Sequence, residues 1–164
     1  QRVDISKMEF IPNGMYKEFE KILTKNNEES VNILRSCAYH TQKNYVSKEQ
    51  TEEFKYPCVY YTYKDGSLNL RYSSTNEKGC FNIPKVIWSQ GISKPIVDID
   101  GKYGINEFAF AIIDEPKNLP FIQKAMLHPE FIKLMSFSDG VSGQRYNRKA
   151  IALLRKDFWK EFLK

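Results

Sequence analysis

The apolar positions change their period twice along the chain. From 13 to 38 they recur at helical spacing: Met15, Phe19, Ile22 and Leu23 make one stripe and Val31, Leu34, Cys37 and Ala38 another, separated by the polar turn Lys25-Asn26-Asn27. This predicts two short helices. Residues 38 to 53 follow no period and are rich in hydrogen-bonding side chains, which predicts a long loop. From Tyr56 the pattern becomes strand-like. Tyr56–Lys64 and Ser67–Ser74 flank Asp65-Gly66, a pair suited to the positive-φ positions of a tight hairpin turn. After a turn at Asn76–Gly79 come two β-branched and aromatic runs, Phe81 to Trp88 and Ile96 to Ile99, broken by Gly91 and closed by Asp100-Gly101. Neither has the length of a helix. Pro84 would remove a ladder hydrogen bond from a central strand, so it is expected at a bulge or an edge, with Lys85 aimed out of the sheet.

Phe108–Ile113 adds a fifth strand, and helical spacing then returns. Asn118 is expected to cap a helix carrying Leu119, Ile122, Ala125 and Met126, and Pro129 to open another carrying Phe131, Ile132, Leu134 and Met135. Residues 136 to 147 read as a polar loop. The closing stretch reads as one amphipathic helix, with Ile151, Leu154, Phe158 and Phe162 inward and Lys149, Lys156 and Lys160 on another face. The pattern as a whole predicts an α+β fold: a mixed, largely antiparallel sheet of about five strands with short flanking helices.

At 164 residues the chain suits one domain. Within it, 1–53 form a helical and loop lead-in, 54–114 the sheet region and 115–164 a helical, basic end. The first residue is Gln1 rather than Met, so a piece of a longer protein is expected. Hydrophobic residues at 41% and aromatics at 14% exclude a disordered tail. The net charge of +5 is concentrated after residue 139, where seven basic residues face two acidic ones. Such an end suits a phosphate-facing surface, although a basic helix face is commonly just solvated. Cys37, Cys58 and Cys80 are odd in number and match no disulfide framework, which points to a reducing, cytoplasmic setting. No apolar stretch reaches the ~20 residues a membrane-spanning helix needs.

Four constellations could carry chemistry. In the loop 140–149, Arg145 and Arg148 could fork onto guanine and Gln144 and Asn147 could bond adenine, with Lys149, Lys156 and Lys160 gripping phosphates. A solvated connector is the plain alternative. A second surface combines Tyr39–Tyr45, including Gln42 and Lys43, with Arg71, Ser73 and Ser74. There the tyrosines could instead be partial core and the serines a strand end. Asp98, Asp100 and Lys102 form half of a Mg²⁺-dependent nuclease site, but the only further acids on offer, Asp65 and Glu77, fall in turns, and a turn in which Asp98 caps backbone amides is the simpler reading. Cys37, His40, Cys58 and Cys80 are possible zinc ligands, yet only the first two are close in sequence, so three small buried thiols are the simpler reading.

Several pieces carry a family resemblance: Tyr56-Pro57, Arg71-Tyr72-Ser73-Ser74, Ile83-Pro84-Lys85-Val86-Ile87, Asp98-Ile99-Asp100-Gly101-Lys102-Tyr103-Gly104, and Lys156-Asp157-Phe158-Trp159-Lys160-Glu161-Phe162. In this order they resemble the C-terminal target-recognition domain of fused type II restriction-modification methyltransferases that make N6-methyladenine, including relatives in large DNA viruses. The resemblance implies sequence-specific recognition of double-stranded DNA and no catalysis by this chain alone. S-adenosylmethionine and Mg²⁺ would belong to other domains of the parent protein, and the partner would be a methyltransferase catalytic domain, with or without an endonuclease. Asn118-Leu119-Pro120-Phe121 misses the loop with which adenine methyltransferases hold the target amine, and no glycine-rich cofactor turn is present. The alternatives are a small Mg²⁺ nuclease and a protein-interaction module whose basic helix docks an acidic partner.

Overall fold

The computed structural model describes residues 15–78, 80–137 and 146–163. In chain order the strands are β1 (Asn32–Arg35), β2 (Val46–Ser47), β3 (Tyr56–Thr62), β4 (Leu68–Ser73), β5 (Lys85–Ser89), β6 (Ile96–Asp98), β7 (Gly104–Ile105) and β8 (Ala109–Ile113). The helices are α1 (Tyr16–Glu20), α2 (Leu119–Met126), α3 (Pro129–Phe137) and α4 (Arg148–Ala152), with 3₁₀ turns at Pro116–Asn118 and Phe158–Phe162. The class is α+β and mostly antiparallel, as the pattern predicts. Instead of one sheet, however, the described residues form two of four strands each, ordered β1-β8-β5-β6 and β2-β4-β3-β7. One pairing, β3 with β7, is parallel.

The two sheets and the helices make three layers, and the first sheet lies in the middle. Val86, Trp88, Phe110 and Ile112 pack against the helices, together with Phe131, Ile151 and Phe158. Their neighbours Ile87, Ala109 and Ala111 pack the other way, onto Cys58, Val59 and Ile105 of the second sheet. β5 is therefore buried at every position. That explains its unbroken apolar run: a strand covered on both faces has no polar side to alternate with. Pro84 lies just before β5, outside the ladder, so its missing N–H costs no strand pairing. Lys85 does not leave the sheet as expected; it is fully buried.

The hairpin turns at Asp65-Gly66 as the sequence predicts, but only Gly66 takes a positive φ; Asp65 does not, and holds the turn through its side chain instead. Gly66 has φ of 90°, Tyr63 N–H donates to Ser67 O at 2.9 Å, and Asp65 accepts the Ser67 N–H at 2.9 Å. Three helical expectations need correction. The second stripe, Val31 to Ala38, contains strand β1, paired in register with β8 from Asn32↔Ile113 to Arg35↔Phe110. A short apolar stretch fits either period, and the open edge of β8 decides between them. Asn118 does not cap α2; it sits in the 3₁₀ turn feeding that helix, and its amide donates to Asp114 at 2.8 Å. The closing helix is broken after Ala152. Residues 153 to 156 instead pair with 22–31, through Thr24 N–H to Leu153 O, Val31 N–H to Leu154 O, Arg155 N–H to Ile22 O and Lys156 N–H to Glu29 O. Ile151, Leu154, Phe158 and Phe162 are nonetheless buried as expected. Among the described residues no helix is long and apolar enough to cross a membrane.

Candidate nucleic-acid interface

The basic end is laced with acids. Lys156 Nζ lies 2.8 Å from Glu29. Their hydrogen bond and charge attraction hold the Glu29 carboxyl below its ordinary range and raise Lys156 above its own. Arg155 reaches Asp157 at 2.9 Å and Glu161 at 2.7 Å, and Lys160 reaches Asp157 at 3.2 Å. Glu29, Arg155, Lys156, Asp157 and Lys160 line a groove with Glu28, Asp114 and Glu115, so its surface carries both signs. The helix break also removes the single face on which Lys149, Lys156 and Lys160 were expected to align.

Gln144 and Arg145 lie outside the described residues. Asn147 serves the fold, since its Oδ1 accepts the Lys149 N–H at 2.9 Å and caps α4. The Arg148 guanidinium lies 5.9 Å from the Phe110 ring centre, and Lys149 is exposed. In the second predicted surface, Gln42 and Lys43 are exposed on a turn whose amides bond to His40. Ser73 is fully buried, and its hydroxyl accepts the Thr75 N–H at 3.1 Å. It ends strand β4 and is closed to solvent, which is the strand-end role considered for it. Tyr39 is buried and Tyr45 donates to Ala38 O at 2.6 Å, which is the core role considered for both.

Arg71 fares differently. On β4 it pairs with Cys58, and its guanidinium lies 4.4 Å from the Tyr60 ring centre. Asn69 Oδ1 and Leu70 O accept from its Nη1 at 2.7 and 2.9 Å. No carboxylate pairs with it among the described residues, in contrast to Arg155, Lys156 and Lys160. Asn69 in turn donates to the Tyr63 hydroxyl at 3.1 Å, and Tyr60 lies 4.9 Å from Phe108. Tyr63 and Phe108 are 43% and 49% exposed. The register of β3 against β4 shifts between Val59 and Tyr61, which leaves Tyr60 as the extra residue of a bulge. Bulges re-aim side chains, and this one brings Tyr60 between Arg71 and Phe108.

The sequence alone points to Arg71 but misses Tyr60, Asn69, Tyr63 and Phe108. The partial signal was the alternation of Leu68 and Leu70, which pack inward, with Asn69 and Arg71, each following one of them.

No family model matches the chain, and neither does any curated protein. The remaining assignments therefore rest on the residues themselves.

Asp98 is fully engaged. Its Oδ2 accepts from Lys85 Nζ at 2.7 Å and from Tyr103 N–H at 3.0 Å, while Oδ1 accepts from Lys102 N–H at 2.8 Å. This is the amide-capping role, closed by Gly101 at φ 65°. Asp100 and Lys102 are exposed beside it. The four possible zinc ligands are not gathered: among the described residues no three His, Cys, Asp or Glu side chains are placed to hold a metal. Cys58 and Cys80 are buried, Cys37 is exposed, and His40 Nε2 faces Glu107 at 3.7 Å.

Proposed function

We propose that the chain is a double-stranded DNA recognition module, not catalytic by itself, that directs an N6-adenine methyltransferase or restriction-modification enzyme to its site. The observation that supports this most is Arg71. It is a half-buried guanidinium, held by Asn69, Leu70 and Tyr60 and lacking an acidic partner among the described residues. With Nη1 committed to Asn69 and Leu70 and Nε buried, Nη2 is the end of this pre-oriented guanidinium that would meet a base edge or a phosphate. Gln42 and Lys43 are exposed and free to extend the contact to phosphates. S-adenosylmethionine and Mg²⁺ would act in the partner catalytic domain.

The test is binding of the purified chain to random duplex DNA across a salt series, with Mg²⁺ omitted and then added, followed by selection of the preferred sequence. We expect salt-dependent binding without cleavage. Arg71→Ala should relax preference at one base pair by ~1–3 kcal/mol, and Arg71→Lys should not restore it. Absence of duplex binding by the wild-type chain at low salt would refute the proposal.

A further inference from the structure

The surface around Arg71 is better equipped than a groove-edge reader needs to be. Base edges in a duplex groove meet mainly hydrogen-bonding side chains, whereas an exposed aromatic ring also offers a flat face on which an unstacked base can lie. Phe108 is 49% exposed, and it is not an isolated apolar residue of the kind any surface carries. Its ring sits 4.9 Å from Tyr60, tilted by 59°, and Tyr60 is in turn covered by the Arg71 guanidinium at 4.4 Å.

Three separate elements build this arrangement. The bulge in β3 supplies Tyr60, β4 supplies Arg71 and Asn69, and the turn between β7 and β8 supplies Phe108. That turn is fixed, because Phe108 N–H donates to Asn106 Oδ1 at 3.2 Å and Asn106 is fully buried. Tyr63, 43% exposed and bonded to Asn69, borders the same patch. The cation beside the rings has no carboxylate partner among the described residues. An aromatic platform with an uncompensated guanidinium at its margin is complementary to a flat base carrying a phosphate, not to an apolar protein face.

We infer that the Phe108–Tyr60 surface is a stacking site for an unpaired nucleobase, with Arg71 contacting the adjoining phosphate or base edge. The inference rests on the DNA-recognition reading and deepens it: the chain engages a nucleotide that has left the duplex stack, or a short single-stranded segment.

The test compares three fluorescently labelled DNA probes of common sequence: a perfect duplex, the same duplex with one unpaired nucleotide, and the single strand. Binding of the full chain is followed by anisotropy at fixed salt. The unpaired probes should bind more tightly than the perfect duplex. Phe108→Ala should weaken them by roughly 5- to 100-fold and leave the perfect duplex unchanged, the range expected for losing one base–aromatic stack. Phe108→Trp, which keeps a stacking face, should retain tight binding and also controls for folding. If Phe108→Ala binds all three probes as the wild type does, the stacking site is refuted while duplex recognition stands. If the wild type binds none of them at low salt, both readings fail.

Discussion

Lys85 and Asp98 face each other across the β5–β6 pair, Nζ to Oδ2 at 2.7 Å, with side chains 0% and 3% exposed. The ammonium also donates to Ile83 O at 3.0 Å, and the carboxylate accepts the two amides of the following turn. The pair thus joins the central strand, the edge strand and the Asp98–Tyr103 turn. Breaking such a pair from one side leaves a buried charge without its partner. Lys85→Met should therefore destabilise the chain by about 3–5 kcal/mol in urea unfolding. The double variant Lys85→Met, Asp98→Asn should recover part of that loss, since the remaining amide is neutral. A single variant as stable as the wild type would show that the pair is not closed from water.

The same turn depends on Gly101. Its φ of 65° is unfavourable for other residues, and a Cβ there would lie 2.3 Å from Ile83 N and 2.5 Å from Asn82 C. The backbones approach so closely because Asn82 N–H donates to Gly101 O at 2.8 Å. Gly66 is a useful contrast: its φ is 90°, but a Cβ would meet only the flexible Lys94 side chain, at 3.1 Å. Gly66→Ala should cost only the backbone term of about 1–2 kcal/mol. Gly101→Ala should cost more than this, because backbone cannot move aside as a lysine can. Equal losses in the two variants would count against the close approach.

How much of this was legible in the sequence follows from how local each feature is. The Asp65-Gly66 hairpin and the Asp98–Gly101 turn were readable because their determinants lie within a few residues. Strand β1 was not, since Val31 and Leu34 satisfy a helical stripe and only pairing with the edge of β8 selects the extended form. Pro84, expected at a bulge or an edge, argued for an outward Lys85, and the partner of Lys85 thirteen positions away was invisible to periodicity. The break after Ala152 is likewise set by distant backbone partners at 22–31. Of the candidate site, Arg71 was visible as a residue, but the Tyr60 bulge and the approach of Phe108 depend on register.

The cysteines should differ in reactivity. Cys37 is exposed, while Cys58 and Cys80 are buried. Burial pushes the Cys58 thiol up, and the nearby Cys80 adds to the effect; burial also raises Cys80, partly offset by the hydrogen bond with Ile105. Thiolate is the reactive form, so both buried thiols should be inert in the folded chain. Titration with an aromatic disulfide reagent should modify one thiol under native conditions and all three cysteines in denaturant. Rapid native modification of a second thiol would contradict the packing of Cys58 and Cys80 against Ile105.

Tyr39 gives stability a pH dependence at the alkaline end. Its ring packs at right angles to Phe81, with centres 5.3 Å apart, and its hydroxyl accepts the Lys78 N–H at 3.0 Å. Burial raises its pKa from 10.0 to about 12, with the Lys78 hydrogen bond opposing the shift. The folded chain therefore holds this proton at pH values where the unfolded chain has released it. The stabilising contribution is complete below pH 10 and fades as pH rises from 10 to about 12. Tyr39→Phe has no hydroxyl to ionise. It should lose about 1 kcal/mol at neutral pH, because the Lys78 amide is left without its acceptor, yet decline less steeply with alkali. Urea unfolding at a series of pH values between about 8 and 12 reads both effects, and parallel alkaline slopes in the two proteins would show that Tyr39 is not the titrating group.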